Sequence, residues 1–108
     1  MTEPDFFRVV AQGCGRACVE LRGDIDAEQA HQLGDVVCEL VARVRRVEVN
    51  VAAVTFFGSA GLNALVNGLL AAREAGNELR LVALTDQVRR VLDITGLADE
   101  LAPGAAAA

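Results

Sequence analysis

The chain has 108 residues, of which 53% are hydrophobic, and this suffices for one domain with a substantial core. Its net charge of −5 argues against nucleic acid and anionic membrane as partners, and the absence of lysine excludes lysine-based catalysis. No apolar run approaches the roughly 20 residues that span a bilayer, and the acidic start does not resemble a signal peptide, so we expect a cytoplasmic domain.

Two short strands are predicted first, over residues 7–11 and 18–22, with a glycine-rich turn between them. In the second strand, Val19 and Leu21 point to one side while the residues between and around them point to the other. The pattern predicts an antiparallel hairpin with one apolar face.

The first helix is predicted over residues 26–45. Asp26 is its expected N-cap, and Gln29 three residues later completes a capping-box pattern. Apolar residues recur at steps of three and four and form a single stripe, which comprises Ala30, Leu33, Val37, Leu40 and Val44. We expect this stripe to face the sheet.

A strand, a helix and a second strand follow, over residues 46–51, 61–75 and 79–84, and Gly76 is expected just beyond the end of this helix. Leu79, Leu81 and Ala83 are expected to share one face of the last strand. Such a crossover joins parallel strands and is right-handed in nearly all cases, so the loop before the helix lies at the carboxyl end of its strand. That edge is where α/β sheets place their sites.

The remaining elements are a helix over residues 86–95, ended by Gly96, and a short turn over residues 98–101. Residues 102–108 are expected to form a flexible, alanine-rich tail. Because the strands share one apolar and one mostly polar face, the predicted fold is an α/β domain. Its mixed sheet has about four or five strands, with helices packed on one face only.

The spacing of the cysteines and the position of the histidine indicate no catalytic or metal-binding site. The spacing of Cys14 and Cys18 suits neither a redox dithiol nor a zinc site, and a disulfide is not expected in a reducing cytosol. Cys38 falls within a helix pattern, where a packed or idle thiol is expected. His31 is expected to face solvent, and we predict no metal and no cofactor.

Ser59 lies where the central strand passes into the second helix. The simplest interpretation is an ordinary N-cap, because serine is among the residues preferred there. The same hydroxyl could carry a phosphate, since backbone N–H groups and the positive end of the helix dipole stabilise an anion at this position. The serine alone does not distinguish these two interpretations.

Three segments together narrow the choice between these interpretations of Ser59. They are Arg22-Gly23-Asp24-Ile25-Asp26, the Phe-Phe-Gly-Ser-Ala-Gly-Leu stretch over residues 56–62, and the Leu-Asp-Ile-Thr-Gly-Leu stretch over residues 92–97. In this order and at these separations, they resemble the STAS domain of bacterial anti-sigma-factor antagonists. The resemblance covers about residues 7–101 and implies that residues 1–108 form a single STAS domain.

The resemblance implies a protein that switches partners and is not an enzyme. In this family the dephosphorylated antagonist binds an anti-sigma factor, which is often a serine kinase of the histidine-kinase-like ATPase type. The kinase phosphorylates the serine that aligns with Ser59 and so ends the interaction, and a phosphatase restores it. The implied partner-binding residues are Gly23, Asp24, Asp26, Phe57, Gly58, Ser59, Ala60, Gly61 and Asn63.

Gly58 departs from the family pattern, which usually has an acidic residue immediately before the phosphoacceptor. The glycine is either a turn residue with positive φ or a change that removes a carboxylate used in kinase recognition. Ala60 replaces a residue that is often hydroxylated in the family, which leaves Ser59 and Thr55 as the hydroxyl groups of this loop.

Other functions remain as alternatives. The chain could be an unphosphorylated STAS scaffold, or a module that binds a nucleotide or another anion through the N–H groups of residues 58–61. A hydrolase is disfavoured, because the nucleophile elbow needs glycine two residues before the serine, where this chain has Phe57. His31 also precedes the serine, which is the wrong order for such a hydrolase.

Overall fold

The computed structural model describes residues 6–102 apart from the Ala11 side chain. Two strands come first, helices and strands then alternate, and two helices come last. The strands are β1 (Phe7–Gly13), β2 (Arg16–Ile25), β3 (Arg46–Phe57) and β4 (Glu78–Val82). The helices are α1 (Ala27–Arg43), α2 (Ser59–Glu74), α3 (Asp86–Thr95) and α4 (Ala98–Leu101).

The sheet confirms the predicted connections. Its strand order is β1-β2-β3-β4, with β1 antiparallel to β2 and with β2, β3 and β4 parallel to one another. The hairpin and the parallel crossover through α2 are therefore as expected. Both β2 and β3 extend several residues beyond their predicted carboxyl ends, and this brings strand structure close to Ser59.

The core lies on one face of the sheet, as the strand patterns predicted. Side chains that alternate along the three parallel strands are almost fully buried, and they comprise Val19, Leu21, Val47, Val49, Val51, Leu79 and Leu81. The residues between them, such as Glu48, Asn50 and Arg80, are only half-buried. Helices α1 and α2 supply the opposing apolar surface, and α3 and α4 complete it.

Helix α1 differs from its prediction at both ends. Val44 is the C-cap residue with an extended backbone and is half-buried, so Val41 takes the last buried position of the stripe. Asp26 is the N-cap residue, but its side chain makes no capping hydrogen bond. The capping box with Gln29 is therefore wrong: the Asp26 side chain is exposed to solvent, and Gln29 Oε1 is buried without a hydrogen-bond partner among the described residues.

Gly76 lies just beyond the C-cap of α2, as predicted, and adopts φ of 74°. The N–H groups of Gly76 and Asn77 donate to the carbonyls of Arg73 and Ala72, at 3.1 and 2.8 Å, and this closes the last turn. Gly96 ends α3 in the same left-handed conformation. Both glycines occupy positions where a residue with a Cβ would be strained.

Two smaller expectations fail near the end of the chain. Ala83 lies outside β4, is exposed and has φ of 56°, because the backbone turns there toward Thr85, the N-cap of α3. Ala102 is only 4% exposed, so it belongs to the packed domain and not to the expected tail. Residues 103–108 of that tail lie outside the described residues.

The three cysteines are free. Burial, with added repulsion from Glu48 and Glu20, raises the pKa of the Cys18 thiol. This thiol is therefore even less ionised at neutral pH than an ordinary cysteine and is a poor nucleophile. His31 is exposed on α1, as expected, with Nε2 3.9 Å from a carboxylate oxygen of Asp35.

Candidate docking site at the carboxyl ends of the strands

The carboxyl ends of β2 and β3 lie side by side and are linked by hydrogen bonds. Ile25 pairs with Phe57 in the sheet register, and the Gly58 N–H donates to the Ile25 carbonyl at 3.1 Å. The Thr55 hydroxyl donates to Asp24 Oδ1 at 2.7 Å. The segments that precede α1 and α2, far apart in sequence, therefore form one surface.

Ser59 is exposed on this surface and is the first residue of α2. Its predicted role as N-cap is wrong, because the N-cap is Gly58, whose carbonyl accepts the Leu62 N–H at 3.1 Å. Gly58 has φ of −81° and ψ of 174°, an extended conformation that any residue can adopt. The interpretation of Gly58 as a turn residue with positive φ is therefore also wrong.

The first turn of α2 suits an anion at Ser59. The first turn of α2 contains no acidic residue. The N–H groups of a first helical turn have no partner within the helix, and the dipole places partial positive charge there. A phosphate on the Ser59 hydroxyl would lie close to these groups without meeting a carboxylate of its own helix turn.

The residues of the predicted docking face divide into three groups by exposure. Asp24, Asp26, Ser59 and Asn63 are exposed, whereas Gly23, Gly58 and Ala60 are half-buried. Phe57 and Gly61 are buried, and Phe57 is only 4% exposed. The Phe57 side chain therefore belongs to the core and cannot contact a partner, which corrects its place in the predicted set.

Gly61 has a packing role beneath the surface. A Cβ on this residue would lie 2.8 Å from Ile25 Cγ2 and 3.1 Å from Phe57 Cε1. Real Cβ atoms do not approach other atoms so closely, so only glycine lets the start of α2 rest on the end of β2. Gly61 thus sets the position of Ser59 without itself facing solvent.

Phe56 is a surface residue that the predicted site did not include, because the predicted strand ended at residue 51. Its side chain is 48% exposed, although it precedes the buried Phe57. The register between β2 and β3 shifts twice, because β3 has one extra residue before Ala53 and another before Phe56. At the first shift, the Ala52 N–H donates to Asn50 Oδ1 at 2.9 Å. A strict alternation from Val47 would have turned Val54 outward, so the burial of Val54 records the first shift. The second shift restores the alternation, which by itself places Phe57 inward and Phe56 outward.

Two concave surfaces are lined in part by residues of the predicted docking face. A shallow cleft of about 710 Å³ is lined by Phe6, Arg22, Gly23, Asp24, Gln29 and Thr55. A groove of about 330 Å³ runs between α1 and α2, and the predicted docking residues Ala60 and Asn63 line it together with Asn67 and Cys38. The docking surface is therefore continuous with the space between the two helices.

Within residues 6–102, no group of three or more histidine, cysteine or acidic side chains could hold a metal ion. None of the helices in this range is long and apolar enough to cross a membrane. The site is thus built from the hydroxyls of Ser59 and Thr55, an exposed aromatic ring, several carboxylates and backbone N–H groups.

Comparisons with known proteins agree on the kind of domain. A family model described as "Mlab, STAS domain" matches residues 10–103. Anti-sigma-B factor antagonists of Staphylococcus aureus and Staphylococcus epidermidis are 29% identical over 82 residues, or 75% of this chain and 76% of theirs.

Solved structures give the same result. SpoIIAA, an anti-sigma factor antagonist, superposes in its unphosphorylated form with a TM-score of 0.78 at 16% identity, covering 88% of this chain and 84% of that one. The phosphorylated form, from Bacillus, gives 0.73 at 15% identity over 88% and 87% of the chains. An anti-sigma factor antagonist from Mycobacterium paratuberculosis is 25% identical, with a TM-score of 0.72 over 94% and 87%. The likeness to SpoIIAA, at such low identity, shows a shared fold.

Proposed function

The chain belongs to the STAS domain family, and on this premise we propose that it is an anti-sigma-factor antagonist controlled by phosphorylation of Ser59. The observation that carries the proposal is the position of Ser59, exposed at the start of α2 on the surface that joins β2 to β3. Unphosphorylated, this surface binds an anti-sigma factor and so releases a sigma factor. Phosphorylated, it does not bind.

The energies favour control at the interface over control through the fold. A phosphate adds about −1.5 to −2 charges, and a like charge or a forced desolvation in a docked interface costs several kcal/mol. Within the domain, the helix dipole stabilises an anion by only about 0.3–1 kcal/mol. The Bacillus protein SpoIIAA keeps the same fold in its two forms, as its likeness to this chain in both illustrates. Phosphorylation therefore changes binding and leaves the domain folded.

The partners follow from the same proposal. The anti-sigma factor is a serine kinase of the histidine-kinase-like ATPase type, and it supplies ATP, magnesium and the catalytic base. This chain supplies the hydroxyl that accepts the phosphate. A phosphatase removes the phosphate and restores binding. The STAS chain itself has no catalytic activity in this scheme.

Binding of charge variants to the purified cognate anti-sigma factor tests the proposal. We expect Ser59→Ala to bind as the wild type does, because only a hydroxyl is removed. We expect Ser59→Glu to bind at least about tenfold more weakly, because one charge enters the interface. Gln12→Glu is the matched control, since it adds the same charge on exposed β1 at the opposite edge of the sheet and should not change the affinity.

Mass spectrometry after incubation with the kinase and ATP tests the acceptor directly. We expect a single phosphate on Ser59, and none on the Ser59→Ala variant. Phosphate on Thr55, Thr85 or Thr95 instead, or equal affinity of the wild type and Ser59→Glu in calorimetry, would refute the proposed switch.

A further inference from the structure

An exposed aromatic side chain lies beside the proposed phosphoacceptor. Phe56 is 48% exposed, three residues before Ser59, and it pairs in register with Asp24 of β2. A Cβ at Gly58 would lie 3.2 Å from Phe56 Cε2 and 3.6 Å from Cζ, so the ring lies against the Gly58 backbone. The glycine thus leaves room for an aromatic ring on the loop that presents Ser59.

The edge of the sheet around this ring is acidic. Helices α1 and α3 begin at the same edge as α2, because each follows one of the three parallel strands. Exposed carboxylates lie at these helix starts and on the end of β2, and they comprise Asp24, Asp26, Glu28 and Asp86. Arg22, which has an interaction partner of its own, lies farther back along β2. An exposed apolar ring at an edge that carries several carboxylates suits an interface centre with a charged rim.

We infer that Phe56 is the apolar anchor of the docking surface and that it enters a hydrophobic pocket bordered by arginine or lysine side chains of the anti-sigma factor. The inference rests on the proposed function, because it concerns the same partner and the same surface. Aromatic residues are enriched among the few that carry most of the binding energy of an interface. A second copy of this chain is the weaker candidate, since two acidic edges would repel each other.

The anchor also explains how one phosphate releases the partner. A filled pocket excludes water from its rim, and charges interact more strongly where water is excluded. A phosphate on Ser59 would stand at that rim, next to the ring, and would have to lose its water when the ring enters the pocket. The release by phosphorylation is therefore strongest when Phe56 is engaged.

The test measures binding of the purified cognate anti-sigma factor by calorimetry. We expect Phe56→Ala to weaken binding at least about 30-fold, as for a residue at the centre of an interface. Leu70→Ala is the matched control, because Leu70 is 53% exposed on the same α2 but eleven residues beyond Ser59. It should leave the affinity within about threefold of the wild type. Higher ionic strength should weaken wild-type binding, because the rim is charged.

The outcomes distinguish the inferred role of Phe56 from the proposed control by phosphorylation of Ser59. If Ser59→Glu weakens binding while Phe56→Ala and Leu70→Ala both bind as the wild type, the anchor is refuted and the proposed function stands. If the wild type does not bind the anti-sigma factor, both fail. If sedimentation shows a wild-type dimer that Phe56→Ala dissociates, the ring packs against a second copy and the inference is overturned. Phe56→Thr, which suits a strand, replaces Phe56→Ala if the alanine variant does not melt cooperatively.

Discussion

The backbone conformation of Gly58 changes the interpretation of this residue. As the N-cap of α2, with φ of −81°, it occupies a position that favours aspartate, asparagine or serine over most residues. The acidic residue that the resemblance led us to expect there would act as a helix cap. Glycine in its place costs little, because glycine is a tolerable N-cap.

We predict that Gly58→Asp keeps the fold and raises the free energy of unfolding by a few tenths of a kcal/mol. The carboxylate can cap the helix, and the half-exposed Phe56 ring can move away from the new Cβ. Gly76→Asp is the control, because its φ of 74° should make the same substitution destabilising by about 1 kcal/mol. Thermal melts measure both; a loss of 1 kcal/mol or more in Gly58→Asp would contradict the assigned backbone conformation.

Cys14 is a second residue whose backbone conformation carries a prediction. It and Gly15 form the two-residue loop between β1 and β2, with φ of 55° and 77°. Hairpin loops with positive φ at both positions strongly prefer Asn-Gly. Cysteine is therefore strained where asparagine would be relaxed.

We predict that Cys14→Asn raises the free energy of unfolding by on the order of 0.5 kcal/mol, because asparagine tolerates the left-handed conformation better. Cys38→Asn, in the interior of α1, serves as the control and should not stabilise the domain, since asparagine is a poor helix former. Chemical denaturation in the presence of a reductant measures both variants. An unchanged or lower midpoint for Cys14→Asn would count against the strain.

At the level of elements, glycines decide how closely α1 and α2 pack. A Cβ on Gly68 of α2 would lie 2.5 Å from Val37 Cγ1 of α1 and 3.2 Å from Leu79 Cδ2 of β4. A Cβ on Gly34 of α1 would lie 3.7 Å from the Ala64 Cβ, which is an ordinary contact. Two glycines that look alike in the sequence therefore differ in the space around them.

We predict opposite effects for the same substitution at these two positions. Gly68→Ala should lower the free energy of unfolding by about 1–3 kcal/mol, because the new methyl group overpacks the contact between α2, α1 and the sheet. Gly34→Ala should raise it by about 0.5–1 kcal/mol, because alanine is the better helix former and has room. Denaturant titrations measure both; equal effects of one sign would show that helix propensity, and not packing, controls the two positions.

On the scale of the whole molecule, the parallel arrangement of three strands determines where the site lies. Because β2, β3 and β4 are parallel, α1, α2 and α3 all begin at the same edge of the sheet. That edge therefore collects the positive ends of three helix dipoles and the loops that precede them. The polar face of the sheet carries no helix among the described residues. Partner binding is proposed at the carboxyl edge, because side chains from distant segments of the chain meet there.

The sequence by itself determined the elements and their order. Period-two alternation around Val47 and Val49 marked a one-sided sheet, and the spacing from Leu33 to Leu40 marked the face of α1, because burial repeats with the geometry of the element. Gly76 and Gly96 marked helix ends, since few other residues adopt their conformation. The crossover rule also predicted Ser59 at the carboxyl edge of the sheet.

Only the tertiary structure decided what surrounds Ser59. Two bulges in β3 turned Val54 inward and Ala53 and Thr55 outward, and they arise from pairing with β2, which local periodicity does not encode. Whether Gly58 or Ser59 begins α2 was likewise decided by the pairing of strands, because the Gly58 N–H donates to the Ile25 carbonyl of β2. Periodicity reports which side of an element is buried, whereas contacts between distant segments fix which individual side chains reach the surface.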